Sequence, residues 1–250
     1  MHIEPPKAAM HSVKEFAAHY LMIVLSVLTA LGLEALLEHM HHVHAAEAAQ
    51  EAIETELADN VSQIRSTMAD NASRLMPMQA LDQRLTEEIR SGKPKAEIVA
   101  EISALARANQ IDVGLYIPSL RHEAWDVAVA NQSATWIDQA TLTRYAGAYA
   151  LQRLNDSLPA SKAIDFPRLV DAVTDARVGN VDPGAFLRSI HQAAVALKSL
   201  QSELDALQAT LLRALPADKA DAARKTTPLP QSQPLSPATI ASQPASAASN

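Results

Sequence analysis

Four imidazoles fall within six residues, His39, His41, His42 and His44, with Glu38 and Glu47 beside them. On a helix His39 and His42 share a face, and so do His41 and His44, because residues three apart are surface neighbours. Paired neutral imidazoles suit zinc, copper or nickel, which makes these four the candidate metal ligands. A site needs three or four convergent donors, and no distant partner stands out in the sequence. The alternative is a solvated His-rich stretch whose charge rises below about pH 6.5, offsetting neighbouring carboxylates or approaching anionic headgroups. Glu38 and His41 also form half of a di-iron bundle site, but the second Glu-x-x-His is missing.

Other chemistry is sparse. There is no Gly-rich phosphate loop, no G-x-S-x-G elbow and no H-E-x-x-H helix. His122 with Glu123 and Asp126 has the residue types for acid–base work, but an exposed polar face beside Trp125 is the favoured reading. The chain is therefore expected not to be an enzyme and to need no cofactor. With no cysteine there is no disulfide, thiolate nucleophile or Cys-ligated metal. Trp125, Trp136, Tyr145 and Tyr149 gather in one stretch of an aromatic-poor chain and read as core packing, with a ligand pocket or partner surface as the alternative. Asn60, Asn71, Asn131 and Asn155 each begin an Asn-x-Ser sequon, two of them inside expected helices. Twenty-one basic residues against 28 acidic ones leave a net charge of −7 and no basic stripe, so nucleic acid is not an expected partner.

The elements that must position these residues begin with an apolar run. Phe16 to Leu33 contains no Asp, Glu, Lys or Arg. Its eighteen residues rise about 27 Å as a helix, against a hydrocarbon thickness of about 30 Å. Extension through Glu34 to Leu37 completes a transmembrane helix over 16–37, with Glu34 near the far interface. Ser26 and Ala30 form a small-xxx-small pair that permits helix dimerisation and a homo-oligomer. Lys7 and Lys14 precede the run, and no Lys or Arg lies between Glu34 and Ile64. That asymmetry puts residues 1–15 in the cytoplasm and the body outside it. A cleaved signal peptide is the rival, with Val43-His44-Ala45 as its cleavage site, but that site lies too far downstream. A buried helix of a soluble protein is the other alternative.

The body, residues 38–215, reads as all-α. Ala46, Ala49, Ile53, Leu57, Val61, Ile64, Met68, Ala72 and Leu75 recur at steps of three and four, so the anchor helix continues as a long stalk to just before Pro77. Leu81, Leu85 and Ile89 mark a second helix, ended by Ser91-Gly92-Lys93-Pro94, and Ile98, Ile102 and Leu105 mark a third. Residues 110–118 form a connection. A fourth helix starts at Pro118-Ser119, a fifth stops before Pro159, and a sixth runs from the Asp165 cap to Gly179-Asn180. Asp182-Pro183 opens a seventh, whose residues Phe186, Ile190, Ala193, Leu197, Leu200, Leu204, Leu207, Leu211 and Ala214 form a heptad seam. Leu187, Ala194, Leu212 and Leu215 widen that seam, favouring packing within the chain against the stalk over an intermolecular coiled coil. Residues 216–250, rich in Pro, Ser and Ala, are expected to be a disordered tail, and residues 1–11 are expected to be similar.

From Ile23 to Glu34 the chain resembles a family of uncharacterised bacterial single-pass inner-membrane proteins. The likeness extends to Ala52–Ile64 and to Trp125, Ala128 and Tyr149. Members often have Gly at Ser26 and a Gly-centred turn at 131–134. The resemblance implies an inner-membrane anchor and an extracytoplasmic, periplasmic helical bundle, and it supplies no activity. The resulting expectation is an interaction or scaffolding protein whose partners are the lipid bilayer and another membrane or periplasmic protein. A ligand-sensing bundle is the alternative. With about fifteen cytoplasmic residues it would need a membrane partner for output, and a metal protein or enzyme comes third.

Overall fold

The computed structural model describes residues 13–162 and 165–226. Among them are seven α-helices, one 3-10 turn and no strand. Helix α1 runs from Val13 to Arg90, 78 residues without a break. It contains the apolar run and, from Ala46 outward, the central core helix of the bundle, with Ile53, Leu57, Val61 and Ile64 fully buried. Apolar residues at steps of three and four put one continuous stripe on one side, and burial of that stripe supplies most of a helix's stability.

Helix α2 (Lys95–Arg107) folds back after the turn at Gly92, whose φ of +76° suits a residue without Cβ. An extended connector then descends beside α1 towards its apolar end. It passes into α3 (Glu123–Ala130) and the 3-10 turn Ser133–Trp136. Helix α4 (Gln139–Lys162) climbs again, followed by α5 (Asp165–Arg177). Helix α6 (Pro183–Ala214) descends, and the short α7 (Ala217–Lys225) turns up against α1.

The α6 start matches its sequence signature. Asp182 Oδ1 accepts from the Ala185 amide at 2.9 Å, and Pro183 occupies the first helical position. Every residue of the heptad seam from Phe186 to Ala214 is buried. Its partner is α1, running antiparallel: His191 faces Asp82 at 3.3 Å, and Gln201 Nε2 donates to the Met68 carbonyl at 2.9 Å. The seam thus packs within the chain.

Four element boundaries differ from the sequence expectation. Pro77 does not end the stalk, and α1 continues to Arg90. A proline forfeits one backbone bond, but burial of Met78 and Leu85 beyond it holds the outer segment helical. Helix α3 begins at Glu123 rather than near Pro118, because the intervening Arg121 has its backbone amide and carbonyl bonded to Asn60 of α1 instead. Helix α4 runs past Pro159 to Lys162, near its last turn, where one lost bond removes little. Residues 217–225, expected within the tail, form α7. Its alanines Ala220 and Ala223 are small enough to bury against α1 without large apolar side chains. Residues 227–250 and 1–12 lie outside the described residues.

Candidate functional site

The His-rich stretch lies on α1 as a single helical turn and a half. At about 100° per residue, His39 and His42 point to one side and His41 and His44 to nearly the opposite one, so the four cannot converge on one ion. His42 sits 3.6 Å from Glu38, and His44 lies 3.8 Å from Glu47. Among the described residues, no group of three or more His, Asp or Glu side chains could hold a metal. The imidazole of His42 has a different neighbour. The Trp136 indole stacks on it with ring centroids 3.9 Å apart and planes 13° from parallel.

Further out along α1 the structure brings Glu54 and Glu56, which the sequence did not single out, together with a sequon asparagine and two of the clustered aromatics. Glu54, Glu56 and Asn60 are buried and face Tyr145, Tyr149 and Gln152, which occupy one face of α4. Glu54 accepts from the Tyr145 hydroxyl at 2.6 Å, from Gln50 Nε2 at 2.9 Å and from Lys219 Nζ at 2.8 Å. Glu56 accepts from the Tyr149 hydroxyl at 2.6 Å and from the Ala124 amide at 2.9 Å. Burial pushes the Glu54 carboxyl up, yet the donors from Lys219, Tyr145 and Gln50 outweigh it and hold the group below the ordinary value. Burial and then the carboxylate partner raise both phenols, so Tyr145 and Tyr149 stay protonated. Each carboxylate is ringed by donors and each phenol is committed, an arrangement that fixes the register of α1 against α4.

Comparison of the chain with family models, with curated proteins and with solved structures finds no match.

The connector is gripped by two asparagines of α1. Asn60 donates from Nδ2 to the Arg121 carbonyl at 2.7 Å and accepts from the Arg121 amide at 2.9 Å. Asn71 does the same with Tyr116, at 2.8 and 3.1 Å. Eleven helical residues rise about 16 Å and five extended residues span nearly the same, so both grips hold in one register. Gln152 Nε2 adds a second donor to the Arg121 carbonyl at 2.6 Å. Arg74 completes the row, with its guanidinium 4.0 Å above the Tyr116 ring and an ion pair to Asp112 at 2.8 Å. Two of the four sequon asparagines are thus consumed in the interior. Asn131 bonds Ser133, and Asn155 bonds its own helix.

The other candidates separate. His122 precedes α3 as its N-cap residue, Glu123 pairs with Arg121, and Asp126 pairs with Arg153, so the three share no common target. Of the aromatic group, Tyr145 and Tyr149 are core, and Trp125 stacks on Tyr149 at 5.3 Å between centroids. Trp136 departs from the core expectation, being 52% exposed. A cleft of about 430 Å³ opens beside Pro77, with Met78, Leu81 and Ile111 as its apolar walls and Arg74 and Arg84 at its polar side.

Proposed function

We propose that this chain is a membrane-anchored interaction or scaffolding protein, held in a bacterial inner membrane by residues 16–37 with its helical bundle on the periplasmic side. The observation that carries the reading is the two-sided use of α1. It is long and apolar enough to cross a membrane, and no residue in its apolar window is buried, while the same helix from Ala46 outward is the bundle's core. Polar groups inside the run are satisfied within it: the Ser26 and Thr29 hydroxyls donate to the Met22 and Leu25 carbonyls at 2.7 and 2.8 Å. The placement of Lys7 and Lys14 before the run supports an N-terminus in the cytoplasm. Membership of the single-pass family that the segment Ile23–Glu34 resembles belongs to the same proposal. The bundle's saturated polar layer is suited to presenting a fixed surface, so the activity is tethering of a membrane or periplasmic partner.

Paired reporter fusions after residue 60 test the topology, one active only in the cytoplasm and one only outside it. Signal from the external reporter is expected, and signal from the cytoplasmic one overturns the orientation. The cleft beside Pro77 favours ligand sensing as the second reading. That reading predicts a small molecule that raises the thermal midpoint and whose effect is lost when Leu81→Trp fills the cleft.

A further inference from the structure

Helix rise fixes how far each part of the bundle stands from the apolar run. His42 lies five residues beyond Leu37, about 8 Å along the axis. A bilayer is about 40–45 Å thick with its headgroups and about 30 Å without them, which leaves a polar layer of about 5–8 Å on each side. The Trp136 indole, stacked on His42, is therefore level with the outer headgroups. One indole face is covered by the imidazole, and the ring remains 52% exposed. Around the same level Met40 and Val43 of α1 are exposed too, prolonging the apolar surface past the run. Ala46, one turn further out, is already buried in the bundle, so no free linker separates run and domain.

We infer that the 3-10 turn carrying Trp136 is seated in the headgroup layer of the bilayer that holds α1, so that the bundle rests its base on the lipid surface. This rests on the membrane-anchored reading above. Trp suits such a layer because its apolar ring and its N–H want different surroundings, and one indole offers both. Glu38 and Glu47 face the imidazoles of His42 and His44, Asp138 follows the turn, and no Lys or Arg lies between Glu34 and Ile64, so this level offers no fixed cation to draw an anionic surface. The seat therefore takes zwitterionic headgroups, to which the ring and backbone contribute without net charge.

The chain has no cysteine, so single-cysteine labelling reads the contact directly. The full chain is reconstituted in phosphatidylcholine nanodiscs containing lipid with a nitroxide at the headgroup or at mid-chain. A fluorophore is placed at Gln139→Cys, an exposed site three residues past Trp136, at Leu28→Cys within the run, or at Met76→Cys, an exposed site 34 residues beyond His42 on α1. The headgroup nitroxide is expected to quench the Gln139 label about three-fold or more over the Met76 label, as an interfacial position requires. The mid-chain nitroxide should quench the Leu28 label. In the Trp125→Phe variant, emission of the remaining Trp136 should follow the Gln139 label, with circular dichroism confirming the fold. Equal quenching at Gln139 and Met76 with Leu28 quenched overturns the seat and leaves the anchor standing. An unquenched Leu28 label overturns both.

Discussion

Tyr149 of α4 donates its phenol hydrogen to Glu56 of α1 across 2.6 Å, with both side chains buried. The phenol is the only side-chain donor to that carboxylate oxygen in the described structure, and the other oxygen is held by the Ala124 amide. Tyr149→Phe keeps the ring and its stack with Trp125 but strands a buried carboxylate oxygen. The expected cost is about 1–3 kcal/mol, or about 2–4 °C of thermal midpoint per kcal/mol in a domain of this size. Tyr145→Phe should cost less, because Glu54 keeps Lys219 and Gln50. Thermal denaturation followed by circular dichroism compares the two.

Stability should depend on pH through Glu54. Its native carboxyl titrates below the ordinary value, so it contributes stability above about pH 4.3, the unfolded value, and loses it as pH falls through the native one. Its partner Lys219 is raised by the same hydrogen bond, so that contribution is present below about pH 10.4 and lost as pH rises through the native value. The gap in urea midpoint between the native chain and Glu54→Gln should therefore be widest near neutral pH. It should close in acid and narrow again in strong base. A gap of constant size from pH 3 to 11 would show that the carboxylate's charge contributes nothing.

The two asparagine grips predict a local effect rather than a global one. Asn60→Ala removes the acceptor of the Arg121 amide, and Asn71→Ala removes that of Tyr116. Loss of about 1.4 kcal/mol at either grip corresponds to about ten-fold faster exchange of that amide. Hydrogen exchange should show acceleration confined to the connector, with α6 amides unchanged. Uniform acceleration across the bundle would mean that the connector is part of the global core.

Helix α7 should behave as part of the domain. Lys219 reaches Glu54, and Arg65 donates to the carbonyls of Ala223 and Thr226 at 3.0 and 2.8 Å. Truncation after Leu215 removes these partners and exposes buried Glu54, so a drop of several degrees in thermal midpoint is expected. Truncation after Thr226 should leave the midpoint within about 1 °C, since the removed segment is poor in large apolar residues. Equal midpoints for the two truncations would remove α7 from the fold.

What the sequence reveals depends on where each partner lies. The α6 seam is legible because leucines at alternating steps of four and three have one geometric meaning, and Asp182-Pro183 is a local signal with a local consequence. Glu54 and Glu56 are not legible, since a glutamate on a helix ordinarily reads as solvated. Their tyrosines lie 91 and 93 positions away, and only the folded chain brings them together. Asn60 and Asn71 read as sequons, and their spacing acquires meaning only beside an extended connector. From the sequence Trp136 reads as core, because burial of an aromatic is the common case. Its stack on His42 is instead where the His-rich stretch meets the rest of the fold. Helix α7 is not legible, because alanines signal burial weakly.

The unbroken course of α1 also sets a mechanical gain. From Leu37 to Arg90 is about 80 Å along the axis, so a tilt of about ten degrees at the apolar end swings Arg90 sideways by about 14 Å. A small change in the slant of the inner segment becomes a large displacement at the far tip, where α2 turns back and Lys95 meets Asp182. A partner gripping that tip would read the slant of the apolar segment from about 80 Å away.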